Sequence, residues 1–145
     1  MKIVLLVCCA VIITSCSRGD IDEKPPVEIE ALFMFELPPN KTTAAVYAKL
    51  TNHSDVMQRL NYIHSPLAEH IEVHRSAYEN GMMQMRQVKR LSLTPGETKS
   101  LSPGSFHLMV FGLYDPLKVG DSFEMTFEFE TGHVITTQVE VRSPG

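Results

Sequence analysis

His107 and Met109 stand one residue apart in Phe106-His107-Leu108-Met109-Val110, and an imidazole and a thioether at that spacing can reach one soft metal ion. The run follows a Pro103-Gly104 turn signal and reads as a short strand. Side chains alternate across a strand, so Phe106, Leu108 and Val110 share one face and His107 and Met109 the other. The apolar face is supplied without Met109, although methionine is usually core filler. Two more residues of the same types precede them. His74 closes Ile71-Glu72-Val73-His74, where Ile71 and Val73 share the core face and His74 faces away. Met85 lies in Met82-Met83-Gln84-Met85-Arg86. The four therefore read His-x10-Met-x21-His-x-Met.

Two imidazoles and two thioethers form a donor set suited to Cu(I), which is soft and accepts low coordination. Thioethers reject zinc and hard ions, and cannot be lost to disulfides, although they can be oxidised to sulfoxides. The histidines must be neutral to bind. The set carries no anionic ligand, which suits exchange with another carrier better than storage. The three cysteines, Cys8, Cys9 and Cys16, all lie within the first sixteen residues. The body of the chain thus offers no thiolate nucleophile, no Cys-based zinc site and no blue-copper cysteine. No nucleophile, base and orienting group stand out together, so an enzyme is not expected.

Other candidates weigh less. His70 and Glu72 share the strand face of His74; His70 reads as a solvent-facing histidine that could assist a Cu(II) form. Met83 shares a face with Met85, as packing or as a spare thioether. Arg75, beside His74, would disfavour added positive charge unless it turns to solvent. His53 and His133 read as loop residues, and His64 as a strand end without a partner.

The elements that must position these residues are strands. Val27, Ile29, Ala31, Phe33, Phe35 and Leu37 alternate with Glu28, Glu30 and Glu36 as a half-buried strand. Further strands are expected over 44–51, 60–64, 68–74, 82–88, 91–93, 98–101 and 106–111. A closing hairpin pairs Phe123, Met125, Phe127 and Phe129 with Ile135, Thr137, Val139 and Val141 across Thr131-Gly132. Many short strands at close spacing mean an all-β sandwich or barrel. At 145 residues there is room for one domain with a real core. Net charge is −4 with no basic block, which argues against nucleic acid.

Lys2 followed by the apolar run 3–13 is a signal peptide, too short to span a bilayer. Ile13-Thr14-Ser15-Cys16 resembles a bacterial lipobox, with cleavage after residue 15 and acylation of Cys16. Acyl chains would anchor the protein, each buried methylene contributing about 0.8 kcal/mol. Residues 16–26 are then a lipidated N-terminus and a polar, Pro-ended tether. Residues 27–142 form the domain and 143–145 a tail. With Ser17 rather than Asp after the cysteine, resemblance to the sorted lipoproteins of Gram-negative hosts implies the outer membrane, and export implies an oxidising compartment.

The four-residue spacing resembles that of the periplasmic copper chaperones associated with assembly of the CuA centre of cytochrome oxidase. Gly81-Met82-Met83-Gln84-Met85-Arg86-Gln87-Val88 resembles that family's Gly-Val-Met-Lys-Met-Arg-Pro-Val segment, with the run to Met109 resembling its Pro-Gly-Gly-x-His-x-Met segment. Ala44-Ala45-Val46-Tyr47 with Thr51-Asn52, and Gly112-Leu113 with Gly120-Asp121, are similar to further landmarks. The likeness covers about Val27 to Arg142. It implies a cupredoxin-like Greek-key β-sandwich binding Cu(I) through His74, Met85, His107 and Met109. It also implies delivery to cytochrome oxidase subunit II, alongside a Sco-type protein. Relatives commonly carry Glu where this chain has Arg75. Some carry a His- and Met-rich tail where this chain has Arg142-Ser143-Pro144-Gly145, so a second copper there is not expected. Rival expectations are a copper scavenging or resistance lipoprotein, a metal-free envelope scaffold or adhesion sandwich, and a copper oxidoreductase, the last disfavoured by two thioethers. A monomer is expected.

Overall fold

The computed structural model describes residues 24–145. The expected signal peptide, Cys16 and most of the tether lie outside the described residues. Ten strands follow in order: β1 (Val27–Phe35), β2 (Ala44–Asn52), β3 (Gln58–His64), β4 (Ala68–Glu79), β5 (Met82–Gln87), β6 (Leu91–Leu93), β7 (Thr98–Leu101), β8 (Phe106–Leu113), β9 (Ser122–Phe129) and β10 (Val134–Arg142). No helix occurs among the described residues.

Hydrogen bonding runs in the order β5-β4-β8-β7-β2-β1-β10-β9-β3-β6, with β8 also pairing β2. β1 is the turning point. It pairs antiparallel with β2 from Val27 to Met34, but parallel with β10 only through Phe33, Met34 and Phe35. The result is the cupredoxin-like Greek-key β-sandwich. The chain crosses from one half to the other at β2–β3, β5–β6 and β8–β9, and back at β3–β4 and β6–β7. Leu50, Val46, Leu108 and Val110 from one half meet Met125, Phe127, Val139 and Leu93 from the other, all fully buried.

The continuous alternation expected along β1 breaks at Ala31. Its φ of 50° makes a bulge, and the pairing register shifts between Glu30 and Phe33. One extra residue turns every later side chain to the opposite face. Leu32 and Met34 therefore enter the core, while Phe33 and Phe35 face outward. There the two rings pack on each other and on Tyr47, with the Arg142 guanidinium over Phe33.

The fourth strand also runs further than the sequence suggested. It continues past His74 to Glu79 and returns through Asn80-Gly81 into β5. Both turn residues have positive φ, 53° and 78°. That is the backbone of a two-residue hairpin turn, for which Asn-Gly is the favoured pair. β5 ends one half of the structure as a free edge.

Candidate metal centre

The antiparallel pairing of β4 with β8 sets His74 opposite His107, Glu72 opposite Met109, and His70 opposite Phe111. Residues directly opposed across a ladder share a face. On the other side of β4, the Asn80-Gly81 turn sets Gln87 opposite His74, Met85 opposite Ser76, and Met83 opposite Tyr78. The four residues singled out in the sequence thus lie on one face of three adjacent strands. This face is the one turned away from Val73, Leu108 and Val110, which are buried in the core.

Burial is graded across the face. His107 is only 3% exposed, although it points away from the main core. The His74 side chain is 15% exposed, Met109 is half-buried, and Met85 is 54% exposed. The site is therefore closed at β8 and open to solvent at the edge strand.

The rings of His74 and His107 have centroids 6.1 Å apart, inclined at 41°. One nitrogen of each is engaged. His74 Nε2 lies 2.7 Å from Glu72 Oε2, and His107 Nδ1 lies 3.0 Å from the Ser105 carbonyl oxygen. A carboxylate and a carbonyl can only accept, so both rings donate. The other nitrogens, His74 Nδ1 and His107 Nε2, are buried with no hydrogen-bond partner. Nitrogens of His64 and His133 are also buried and unpartnered, but of these four rings only His74 and His107 pack against each other.

An imidazole with one N–H held by a carboxylate or carbonyl and the other nitrogen bare is the usual state of a metal-ligating histidine. With a metal–nitrogen bond of about 2.0 Å, as for zinc, an ion shared by two rings sits roughly 3 Å from each centroid. At the observed separation the two rings could share one ion with their nitrogens nearly opposed across it. Among the described residues no three His, Cys, Asp or Glu side chains gather in a way that could hold a metal. Two imidazoles alone do not make a tetrahedral zinc site. The same face also carries the thioethers of Met109, Met85 and Met83 and the Glu72 carboxylate, and thioethers beside imidazoles suit a soft monovalent ion.

The remaining candidates separate clearly. Arg75 stands on the opposite face, its guanidinium 5.3 Å from the centre of the Phe106 ring, so its charge turns away from the two imidazoles. His70 stacks flat on Phe111 at 4.6 Å and lies 3.9 Å from Glu72 Oε1. Met83 shares the face of Met85 and is exposed. His53 Nε2 meets Glu28 Oε2 at 2.6 Å, which holds the Glu28 carboxyl below its ordinary value. His64, expected without a partner, stacks on Tyr62 and lies 3.6 Å from Glu128. His133 packs on Phe129. The sequence reading gave no role to Glu72 or to the Ser105 carbonyl. The signal for Glu72 was available, since a residue two positions before His74 shares its face.

The family described as "Putative lipoprotein LpqE-like" matches residues 27–141. A protein of Rickettsia prowazekii, RP573, is 31% identical over 109 residues, which is 71% of this chain and 59% of that protein. The chain spans about half the length of the curated relatives it matches. Among solved structures, the copper-bound PCuAC domain from PmoF2 superimposes with a TM-score of 0.71 at 22% identity, covering 83% of this chain and 95% of that one. The Cu(I) form of DR1885 from Deinococcus radiodurans superimposes with a TM-score of 0.68 at 28% identity, covering 84% and 82%.

Proposed function

This chain belongs to the LpqE-like family, and on that premise we propose that it is an exported Cu(I) metallochaperone. Copper is its cargo, held by His74, Met85, His107 and Met109. One observation carries the reading: two opposed imidazoles each have a buried, unpartnered nitrogen, on a face that also bears two methionines. The copper-bound and Cu(I)-bound states of the similar structures support it.

The residues divide the work. The two imidazoles supply nitrogen donors whose direction is fixed by Glu72 and by the Ser105 carbonyl. The two thioethers supply affinity for a soft ion without adding charge. Met85 on the open edge is the donor that solvent, or another protein, reaches first. A neutral, partly open site holds Cu(I) while leaving a route for its transfer. Nothing in this scheme requires catalysis, and the chain is read as a carrier rather than an enzyme.

The family description supports export and a lipid anchor. Acylation at Cys16, a location on the periplasmic side of the envelope and attachment to the outer membrane are parts of the proposal. So is the acceptor, the CuA centre of cytochrome oxidase subunit II, reached directly or through a Sco-type protein. Mixing the Cu(I)-loaded domain with copper-free soluble domain of subunit II tests the acceptor. Copper should move to subunit II, followed by the NMR spectra of both proteins. Retention of copper by the donor, with a Sco-type acceptor also left empty, would overturn delivery and favour scavenging.

A further inference from the structure

We infer that Glu72 is a positioning residue that presents His74 to copper through Nδ1, while His107 presents Nε2, so that the two histidines bind with opposite ring nitrogens. The inference rests on the chaperone reading only for the identity of the ion. The contacts that orient the rings are made within the chain itself.

The two rings are held by different means. His107 turns its Nδ1–H back to the carbonyl of Ser105, two residues earlier in the chain, at 3.0 Å. The same carbonyl accepts the Ser76 backbone N–H at 3.0 Å, tying it to β4. This contact is made with main chain and cannot be removed by substitution at Ser105. His74 instead points its Nε2–H at a side chain, Glu72 Oε2, at 2.7 Å. The Glu72 side chain is 29% exposed, and its second oxygen lies 3.9 Å from His70 Nε2. The carboxylate thus stands between two histidines of its own strand and makes its close contact with His74.

In a neutral imidazole one nitrogen donates and the other accepts, and the hydrogen bond made by one decides which is free for metal. A carboxylate on Nε2–H fixes the Nε2–H tautomer of His74 and leaves Nδ1 as the lone pair. That Nδ1 is buried and unpartnered, as is His107 Nε2. Without Glu72 the His74 ring would be free to flip or exchange tautomers, and each copper-binding event would first have to select the correct state. Removing the partner of a metal-ligating histidine lowers metal affinity about 10–100-fold.

The test combines a metal-free and a metal-bound readout. Long-range 1H–15N spectra of the apo domain, taken well above the ordinary histidine titration range, report the tautomer of each ring. Unmodified protein should show His74 as the Nε2–H form and His107 as the Nδ1–H form. Glu72→Ala should leave His107 unchanged and give His74 as a mixture. Its Cu(I) affinity should fall about tenfold or more, with Glu72→Gln, which keeps an acceptor oxygen, falling between the two. A thermal melt close to that of the unmodified protein would show that the sandwich is intact. A His74 ring in the Nδ1–H form, or tautomers and affinity unmoved in Glu72→Ala, would overturn the inference. If the unmodified domain bound no Cu(I) but showed these tautomers, the chaperone reading would fail while the assignment of Glu72 stood.

Discussion

Met85 lies opposite Ser76, two residues beyond His74 on the same face, and the Asn80-Gly81 turn sets that offset. Met85 is more than half exposed, so packing does little to hold it in place. Its thioether is delivered by hairpin register. Gly81 has φ of 78°, and a Cβ there would meet nothing within 4 Å. Gly81→Val is then penalised by backbone conformation alone, about 1–2 kcal/mol. The strained turn should loosen β5, an edge strand, and lower Cu(I) affinity several-fold with little change in the melting temperature of the sandwich. Chelator competition and a thermal melt, run together, check this; unchanged affinity would show that turn and site are uncoupled.

His107 should be a functional histidine rather than a structural one. It is 3% exposed and carries a buried nitrogen without a partner, which costs stability. In His107→Leu the Ser105 carbonyl keeps the Ser76 N–H, so no new orphan is made. The apo variant should be at least as stable as the unmodified protein, to within about 1 kcal/mol, and bind Cu(I) poorly. Urea denaturation of the metal-free proteins measures the first half. A loss of several kcal/mol would assign His107 to packing.

The two methionines should differ in stability effect and agree in metal effect. Met85→Leu, on the exposed edge, should change stability by less than about 0.5 kcal/mol. Met109→Leu, half-buried, should cost less than about 1.5 kcal/mol as a near-isosteric exchange. Each should remove one sulfur from the copper shell seen by X-ray absorption, because a hydrocarbon of similar shape offers no donor. An undiminished sulfur shell in either variant would exclude that residue as a ligand.

Away from the site, Glu97 closes the turn between β6 and β7. Its carboxylate accepts the Thr94 backbone N–H at 2.8 Å and the Thr94 hydroxyl at 3.0 Å, and lies 3.0 Å from Lys99 Nζ. The Thr94 N–H is the main reason its carboxyl titrates below the ordinary value of 4.5, with Lys99 next. A carboxyl with a depressed value in the folded state contributes stability that is complete above 4.5 and lost as the pH falls through the depressed value. Glu97→Gln should therefore destabilise at neutral pH, with the difference shrinking under acid. Urea midpoints at pH 7, well above the ordinary carboxylate values of about 4, and at pH 3, below them, test this. A difference that grew at low pH would contradict it.

Much of this was legible in the chain. The alternation in Phe106-His107-Leu108-Met109-Val110 placed Leu108 and Val110 in the core and His107 and Met109 on the other face, as the structure has them. Val73 and His74 separated in the same way. Alternation reports faces but not what covers them, so the burial of His107 was not foreseeable. A single αL residue at Ala31 reversed the inward set of β1, and alanine carries no signal for a bulge. The Asn80-Gly81 dipeptide was a readable turn signal. The polar run after His74 concealed that β4 continued to meet it. Which strands adjoin was not legible at all: β4 and β8 are far apart in sequence, and only their pairing brings His74 to His107.

The most direct test is a Cu(I) competition titration of the domain from Ser17 onward against a chromophoric chelator, beside His107→Ala and Met109→Ala. One Cu(I) held tightly per chain, and weakened in both variants, is the expected result. Failure of the folded, unmodified domain to take copper from the chelator would contradict the chaperone assignment and leave a metal-free envelope sandwich.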